Sequence, residues 1–283
     1  MLIAGGLLKP KNLDDVVERV VEELLKRVKG EDAVKYPPLA LAVDTNVLYA
    51  RIFTNWLLDQ LEAKKLMPLV VVSKAVRNEL MKKIDREYKE SSSQLTELRK
   101  SCVDEMVKRD LLVPGVSTTE ARRAFLALHE EHIISSKVRF AVAKAKGVGD
   151  QKIVDSYYKF KLKHLPWDVL FITCDDKIRG RAEMLNLMYS YIDQGKLEVL
   201  EFLPYRKVPD LMLSLATYMM QVTLSSDMTS VAIRGVWRGK RYDDWVNGVV
   251  GLCLSLSKEE HVKIYENSEK LTKIFKVVGA TGF

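Results

Sequence analysis

The 283-residue sequence predicts a three-layer α/β/α sandwich around a mostly parallel sheet. Three observations carry that expectation. Short apolar runs, Leu39 to Val43, Leu69 to Val72 and Val169 to Thr173, read as strands buried on both faces, as a parallel sheet requires. Longer helical patterns alternate with them, which is how crossover units cover the two faces of such a sheet. Acidic residues also recur just beyond the runs, where open α/β sheets hold their ligands.

In chain order, Asn12 to Lys29 is the clearest helix. Leu13, Val16, Val17, Val20, Val21, Leu24, Leu25 and Val28 repeat at helical spacing, Asn12 is placed to cap the start, and Gly30 ends it. Pro37 and Pro38 bound the first strand, and Val47 to Lys64 reads as a helix. Pro68 introduces the second strand, with Ser73 as cap of a helix from Lys74 to about Tyr88. A charged helical pattern continues to Asp110 past a polar break at Ser91 to Ser93, followed by a connection at Leu111 to Val116. Thr118 to Lys146 is predicted helical up to Gly147, and Val148 to Lys163 again so. After the third strand come a helix, Asp176 to Leu187, and a last strand, Leu197 to Phe202. Beyond Pro204 the rhythm breaks: a helix from Asp210 to Leu224, a basic hairpin from Val231 to Tyr242, and a final helix from Ser257 to Val277. The expected organisation is an N-terminal helical extension (1–38), an α/β domain (39–203) with an enlarged helical region at about 85–146, and a C-terminal α+β extension (204–283).

The net charge of +7 favours an anionic partner, nucleic acid before an acidic membrane surface. No apolar run approaches the ~20 residues of a membrane span. Cys102, Cys174 and Cys253 are odd in number and scattered, which points to a reducing, cytoplasmic setting and away from a disulfide framework or a zinc site. His129 and His132 share a helix but lack an evident third ligand, so they read as solvated histidines.

Four acids carry the chemistry. Asp44 ends the first strand, Glu79 lies in the second turn of the helix after the second, Asp150 opens a helix, and Asp175 follows the third strand. Carboxylates from separate loops at one rim suit one or two Mg²⁺ or Mn²⁺ ions, which can activate water and relieve phosphoryl charge in phosphodiester hydrolysis. Thr45, Asn46 and Thr173 are polar supports for that set, with Asp155 and Asp176 as second-rank acids.

The pieces Val43-Asp44-Thr45-Asn46-Val47-Leu48, Ser73 to Leu80 around Glu79, Gly149-Asp150-Gln151-Lys152-Ile153 and Ile172-Thr173-Cys174-Asp175-Asp176 resemble, in order, those of the PIN-domain nucleases, which include VapC-type toxins and PIN nucleases of RNA processing. The likeness covers about residues 39–203. It implies a metal-dependent endonuclease with Mg²⁺ or Mn²⁺ at Asp44, Glu79, Asp150 and Asp175, acting on single-stranded nucleic acid, RNA before DNA. The preceding helix, the enlarged region between Glu79 and Asp150, and the C-terminal segment depart from the compact family pattern. The two terminal extensions are where a second copy or a protein partner would bind. For phosphate and base contacts the sequence offers Lys177, Arg179 and Arg181 after Asp175. It also offers the interleaved Arg234, Trp237, Arg238, Lys240 and Arg241. A non-catalytic nucleic-acid-binding or assembly module of the same fold is the alternative, as is a DNA-processing nuclease.

Overall fold

The computed structural model describes residues 3–28, 35–103, 105, 108, 118–202, 204, 207–225, 230–237 and 250–255. At its centre are five parallel strands: β2 (Leu39–Val43), β3 (Leu69–Ser73), β4 (Arg139–Ala143), β5 (Asp168–Thr173) and β6 (Met188–Tyr191). Their spatial order is β4-β3-β2-β5-β6, and every pairing is parallel. All five residues of β2 are buried, as expected for a central strand covered on both faces.

The helices are α1 (Leu13–Val28), α2 (Thr45–Tyr49), α3 (Leu58–Ala63), α4 (Lys74–Ser101), α5 (Thr119–Lys137), α6 (Asp150–Lys163) and α7 (Asp176–Met184). The chain steps outward from β2 through β3 to β4, then returns across the sheet to β5 and continues to β6. With right-handed crossovers, that reversal puts α2 to α5 on one face and α6 and α7 on the other. The result is an α/β sheet flanked by helices in a Rossmann-like three-layer arrangement. Its switch point lies between β2 and β5, whose onward connections run in opposite directions.

The N-terminal segment belongs to this core. Leu13, Val16, Val17, Val20, Val21 and Leu24 of α1 are buried in the same cluster as the strands, whereas Val28 at its end is exposed. Asn12 spends its side chain on the end of β6 and the chain after it: its amide donates to Tyr191 O at 2.8 Å and its carbonyl accepts from Asp193 N–H at 3.0 Å. A short strand, β1 (Leu8–Pro10), pairs antiparallel with β7 (Leu197–Val199).

Several elements differ from the expectation. The helix foreseen over 47–64 is broken after α2. Arg51 takes a positive φ of 52° and its guanidinium is buried, and a π-helical turn, Phe53–Leu57, leads into α3. The serine run does not break α4, which continues to Ser101. The helix foreseen over 118–146 stops at Lys137, and Arg139–Ala143 forms the edge strand β4. The helix foreseen over 176–187 stops at Met184, β6 follows it in a stretch to which the sequence assigned no element, and β7 lies outside the main sheet.

Beyond residue 203, α8 (Val208–Met219) packs on the helical layer. Arg122 Nη1 donates to Thr217 O at 2.8 Å and Arg51 Nη1 to Ser214 Oγ at 2.6 Å. The foreseen helix over 210–224 thus ends early, and β8 (Gln221–Ser225) follows. Residues 230–237 are a single strand, β9, between β8 and β10 (Val250–Ser255) in an antiparallel sheet, so the hairpin partner is β8. Arg238, Lys240, Arg241, the connection at 111–116 and the helix over 257–277 lie outside the described residues, as do the side chains of Arg234 and Trp237. Among the described residues no helix is long and apolar enough to cross a membrane.

Candidate functional site

The carboxyl edge of the sheet is shaped by β2 and β5, adjacent and in parallel register from Leu39↔Asp168 to Val43↔Ile172. Asp44 is the first residue after β2 and caps α2, with Oδ1 accepting from Val47 N–H at 2.8 Å. Its Oδ2 accepts from the Thr173 hydroxyl at 2.5 Å and from Cys174 N–H at 3.1 Å. Thr173 in turn accepts from Asp175 N–H at 3.0 Å, so one hydroxyl links the two acid-bearing strand ends. Asp44 is only 1% exposed, and burial pushes its carboxyl up to about 6. Hydrogen bonds from Thr173, Val47 and Cys174 hold that rise down, and the Asp175 charge adds to it.

Asp175 caps α7 by accepting from Lys177 N–H at 2.9 Å. Asp176 is the first helical residue and pairs with Arg179 at 2.7 Å. Glu79, on α4, accepts from the Thr45 hydroxyl at 3.0 Å, so Thr45 serves Glu79 rather than Asp44. Burial raises the Glu79 carboxyl, and the charge of Asp150 raises it further against the hydrogen bond from Thr45 and the charge of Lys83. Asp150 opens α6 behind Gly149, whose φ of 103° favours glycine. The acids therefore stand as two electrostatically linked pairs, Asp44 with Asp175 and Glu79 with Asp150. Asn46 lies in α2 and lines a small cavity with Tyr49, Arg123 and Gln194.

Among the described residues, no group of three or more Asp, Glu, His or Cys side chains closes around a single ion position. The donor chemistry nonetheless fits Mg²⁺ or Mn²⁺, because these strand-end and helix-start groups offer carboxylate and hydroxyl oxygens. The fit is best at Asp44. Its buried carboxylate lacks a cationic side-chain partner among its hydrogen bonds, and a cation would restore the charge that burial disfavours.

Asp155 bonds Arg181 through Nε at 3.2 Å and Nη2 at 2.8 Å, which takes both out of the acid set and the free basic rim. Arg179 lies over the Tyr191 and Tyr189 rings at 5.1 and 5.7 Å, and Lys177 is exposed. His129 is half-buried rather than solvated, and burial, then Arg51 and His132, lowers it to about 4. Cys174 is a free thiol pushed well above its ordinary range by burial.

Tyr157 was not singled out from the sequence, although its place on the α6 face shared with Ile153 and Val154 is readable. Its hydroxyl donates to Val43 O at 2.5 Å and accepts from Ser73 N–H at 2.9 Å. It therefore joins the last rungs of β2 and β3. Ser73 caps α4 as expected, accepting from Ala75 N–H at 3.0 Å, and also accepts from Ser156 at 2.8 Å. Tyr157→Phe strands two buried backbone groups and is expected to cost about 1–3 kcal/mol in urea unfolding. A loss well under that range would show that the hydroxyl is dispensable at this edge.

Compared with protein-family models and with curated proteins, the sequence matches none.

Proposed function

We propose that the chain is a divalent-metal-dependent endonuclease of PIN type that hydrolyses phosphodiester bonds in single-stranded nucleic acid, RNA before DNA. One observation carries this reading. Asp44, a buried carboxylate, stands at the switch point of the sheet, with Thr173 at the end of the neighbouring strand and Asp175 just beyond it. Open α/β sheets bind ligands at that place, and a buried, proton-hungry acid there is costly unless it serves a ligand.

Asp44 would hold Mg²⁺ or Mn²⁺ together with Asp175, while Glu79 and Asp150 would face the same edge from α4 and α6. When bound, the ion would supply Lewis-acid stabilisation of the phosphoryl charge and activation of the attacking water. The chain's own part is positional. Val47 N–H, Thr173 and Cys174 N–H lock the Asp44 carboxylate in one orientation. Thr45 orients Glu79, a partly shielded acid whose raised pKa suits it to exchange a proton with water.

Purified protein incubated with labelled single- and double-stranded RNA and DNA, in Mn²⁺ or in EDTA, tests this. Cleavage of single strands in Mn²⁺ and none in EDTA is expected. Tight binding without cleavage would replace the enzyme with a nucleic-acid-binding module.

A further inference from the structure

Beside the acid edge lies a cleft of about 640 Å³ lined by Lys74, Lys144, Lys146, Lys152 and Lys159, with Asp155 as the single acid among the described residues of its lining. We propose that this cleft binds the phosphate backbone of a single-stranded nucleic acid; as the track that leads substrate to the acids, it rests on the nuclease reading above.

The lysines reach the cleft from three directions. Lys74 is the first residue of α4, directly after β3, and Lys144 and Lys146 lie in the loop that leaves β4. Lys152 and Lys159 are seven residues apart on α6, so about two turns bring them back to the same face. All five are exposed, and among the described residues none forms an ion pair with an acid. Asp155, the acid in the same lining, is held by Arg181. The lining is thus a concave array of five ammonium groups with little internal compensation, a shape that focuses positive potential on an anion.

Two features select the anion. Its elements also carry acids of the proposed site: Glu79 is on α4 and Asp150 is two residues before Lys152 on α6. The cleft and those acids thus share the carboxyl edge of the sheet, where Lys74 follows β3 and Lys144 and Lys146 follow β4. Among the described residues the lining contains no aromatic side chain, so it reads charge rather than bases. Recognition should be strong, salt-dependent and indifferent to base sequence.

The test uses fluorescence anisotropy of a labelled single-stranded RNA, in EDTA and across a range of KCl concentrations. It compares the parent with Lys144→Gln/Lys146→Gln/Lys152→Gln/Lys159→Gln. A charge-matched control, Lys64→Gln/Lys89→Gln/Lys100→Gln/Lys163→Gln, removes four exposed lysines elsewhere. The cleft variant should bind more than tenfold more weakly at moderate salt. Its slope of log K against log salt should flatten by about 0.7 for each lost phosphate contact on a single strand. The control should stay near the parent.

Equal losses in both variants, an unchanged slope, or no RNA binding by the parent would overturn the assignment. So would cleft-dependent binding of phosphatidylserine vesicles with none of RNA. Because binding is read without metal, the two readings separate. A protein that binds through the cleft but never cleaves in Mn²⁺ loses the nuclease reading and keeps the cleft. One that cleaves in Mn²⁺ with KM unchanged by the four cleft substitutions keeps the nuclease and loses the cleft.

Discussion

Asp44→Asn is expected to lower turnover on single-stranded RNA in Mn²⁺ by on the order of 10²-fold or more, with RNA binding retained. The carboxylate is the most buried of the four acids and accepts three hydrogen bonds, from Val47 N–H, Thr173 and Cys174 N–H. Asparagine keeps the shape but not the charge. It can still cap α2 through its carbonyl, while its amide turns towards Thr173, whose hydroxyl can rotate to accept. Cys174 N–H then faces a donor and loses its partner, at a cost of about 1–3 kcal/mol. The loss of charge works the other way. Asp44 is raised from 3.8 to about 6, so the folded protein takes up a proton that the unfolded chain does not. The contribution of this group to stability is complete below pH 3.8 and is lost as pH rises through about 6. A shift of that size corresponds to about 3 kcal/mol. In EDTA at pH 7 the two effects roughly offset, so the variant folds. The diagnostic is the difference in unfolding free energy between parent and variant: in EDTA it should move in the parent's favour as pH falls from 7 to 4. A flat difference would mean that Asp44 is not the buried titrating acid. Parent-like cleavage by the variant in Mn²⁺, with contaminating nuclease excluded, would remove the site itself.

How far the fold and the site could be read from sequence depended on burial. Leu39–Val43, Leu69–Ser73 and Asp168–Thr173 are covered on both faces, so unbroken apolar runs betrayed them. Arg139–Ala143 and Met188–Tyr191 are the sheet's edges, partly exposed and mixed in composition; the first was absorbed into a neighbouring helix, and the second fell between a helix and the last strand and was assigned to neither. The break after α2 escaped for another reason. It depends on Arg51 meeting Glu130 and Ser214, 79 and 163 residues away, contacts that no local pattern carries. Asp44 and Asp175 were legible because strand ends at the switch point are fixed by topology. The partners of Thr45, Asp155 and Arg181 were not, because a side chain's choice between nearby groups is settled by packing. The lysine cleft escaped because its members are scattered over 74–159 and look individually like ordinary solvated charges.

Glu130→Ala is expected to destabilise the fold by about 3–5 kcal/mol in urea unfolding. Glu130 and Arg51 are both fully buried, with Arg51 Nε 3.3 Å from Glu130 Oε2. Glu130 Oε1 also accepts from Thr54 N–H at 2.8 Å, and its Oε2 accepts from the Thr54 hydroxyl. Removing the carboxylate leaves a guanidinium in the core with Ser214 Oγ as its recorded hydrogen-bond acceptor, and its Nη2 is already unpartnered. Two Thr54 donors lose their acceptor as well. Truncating the pair together, Arg51→Met with Glu130→Leu, should cost clearly less than Glu130→Ala alone, because no charge is then stranded. The consequence reaches the site. Arg51 fixes the break immediately after α2, and α2 begins at Thr45, the residue that holds Glu79. Glu130→Ala should therefore lose activity at temperatures where it is still folded, while the double variant keeps more of it. A Glu130→Ala protein within about 1 kcal/mol of the parent would show that Arg51 finds compensation elsewhere, and the break would then need a different cause.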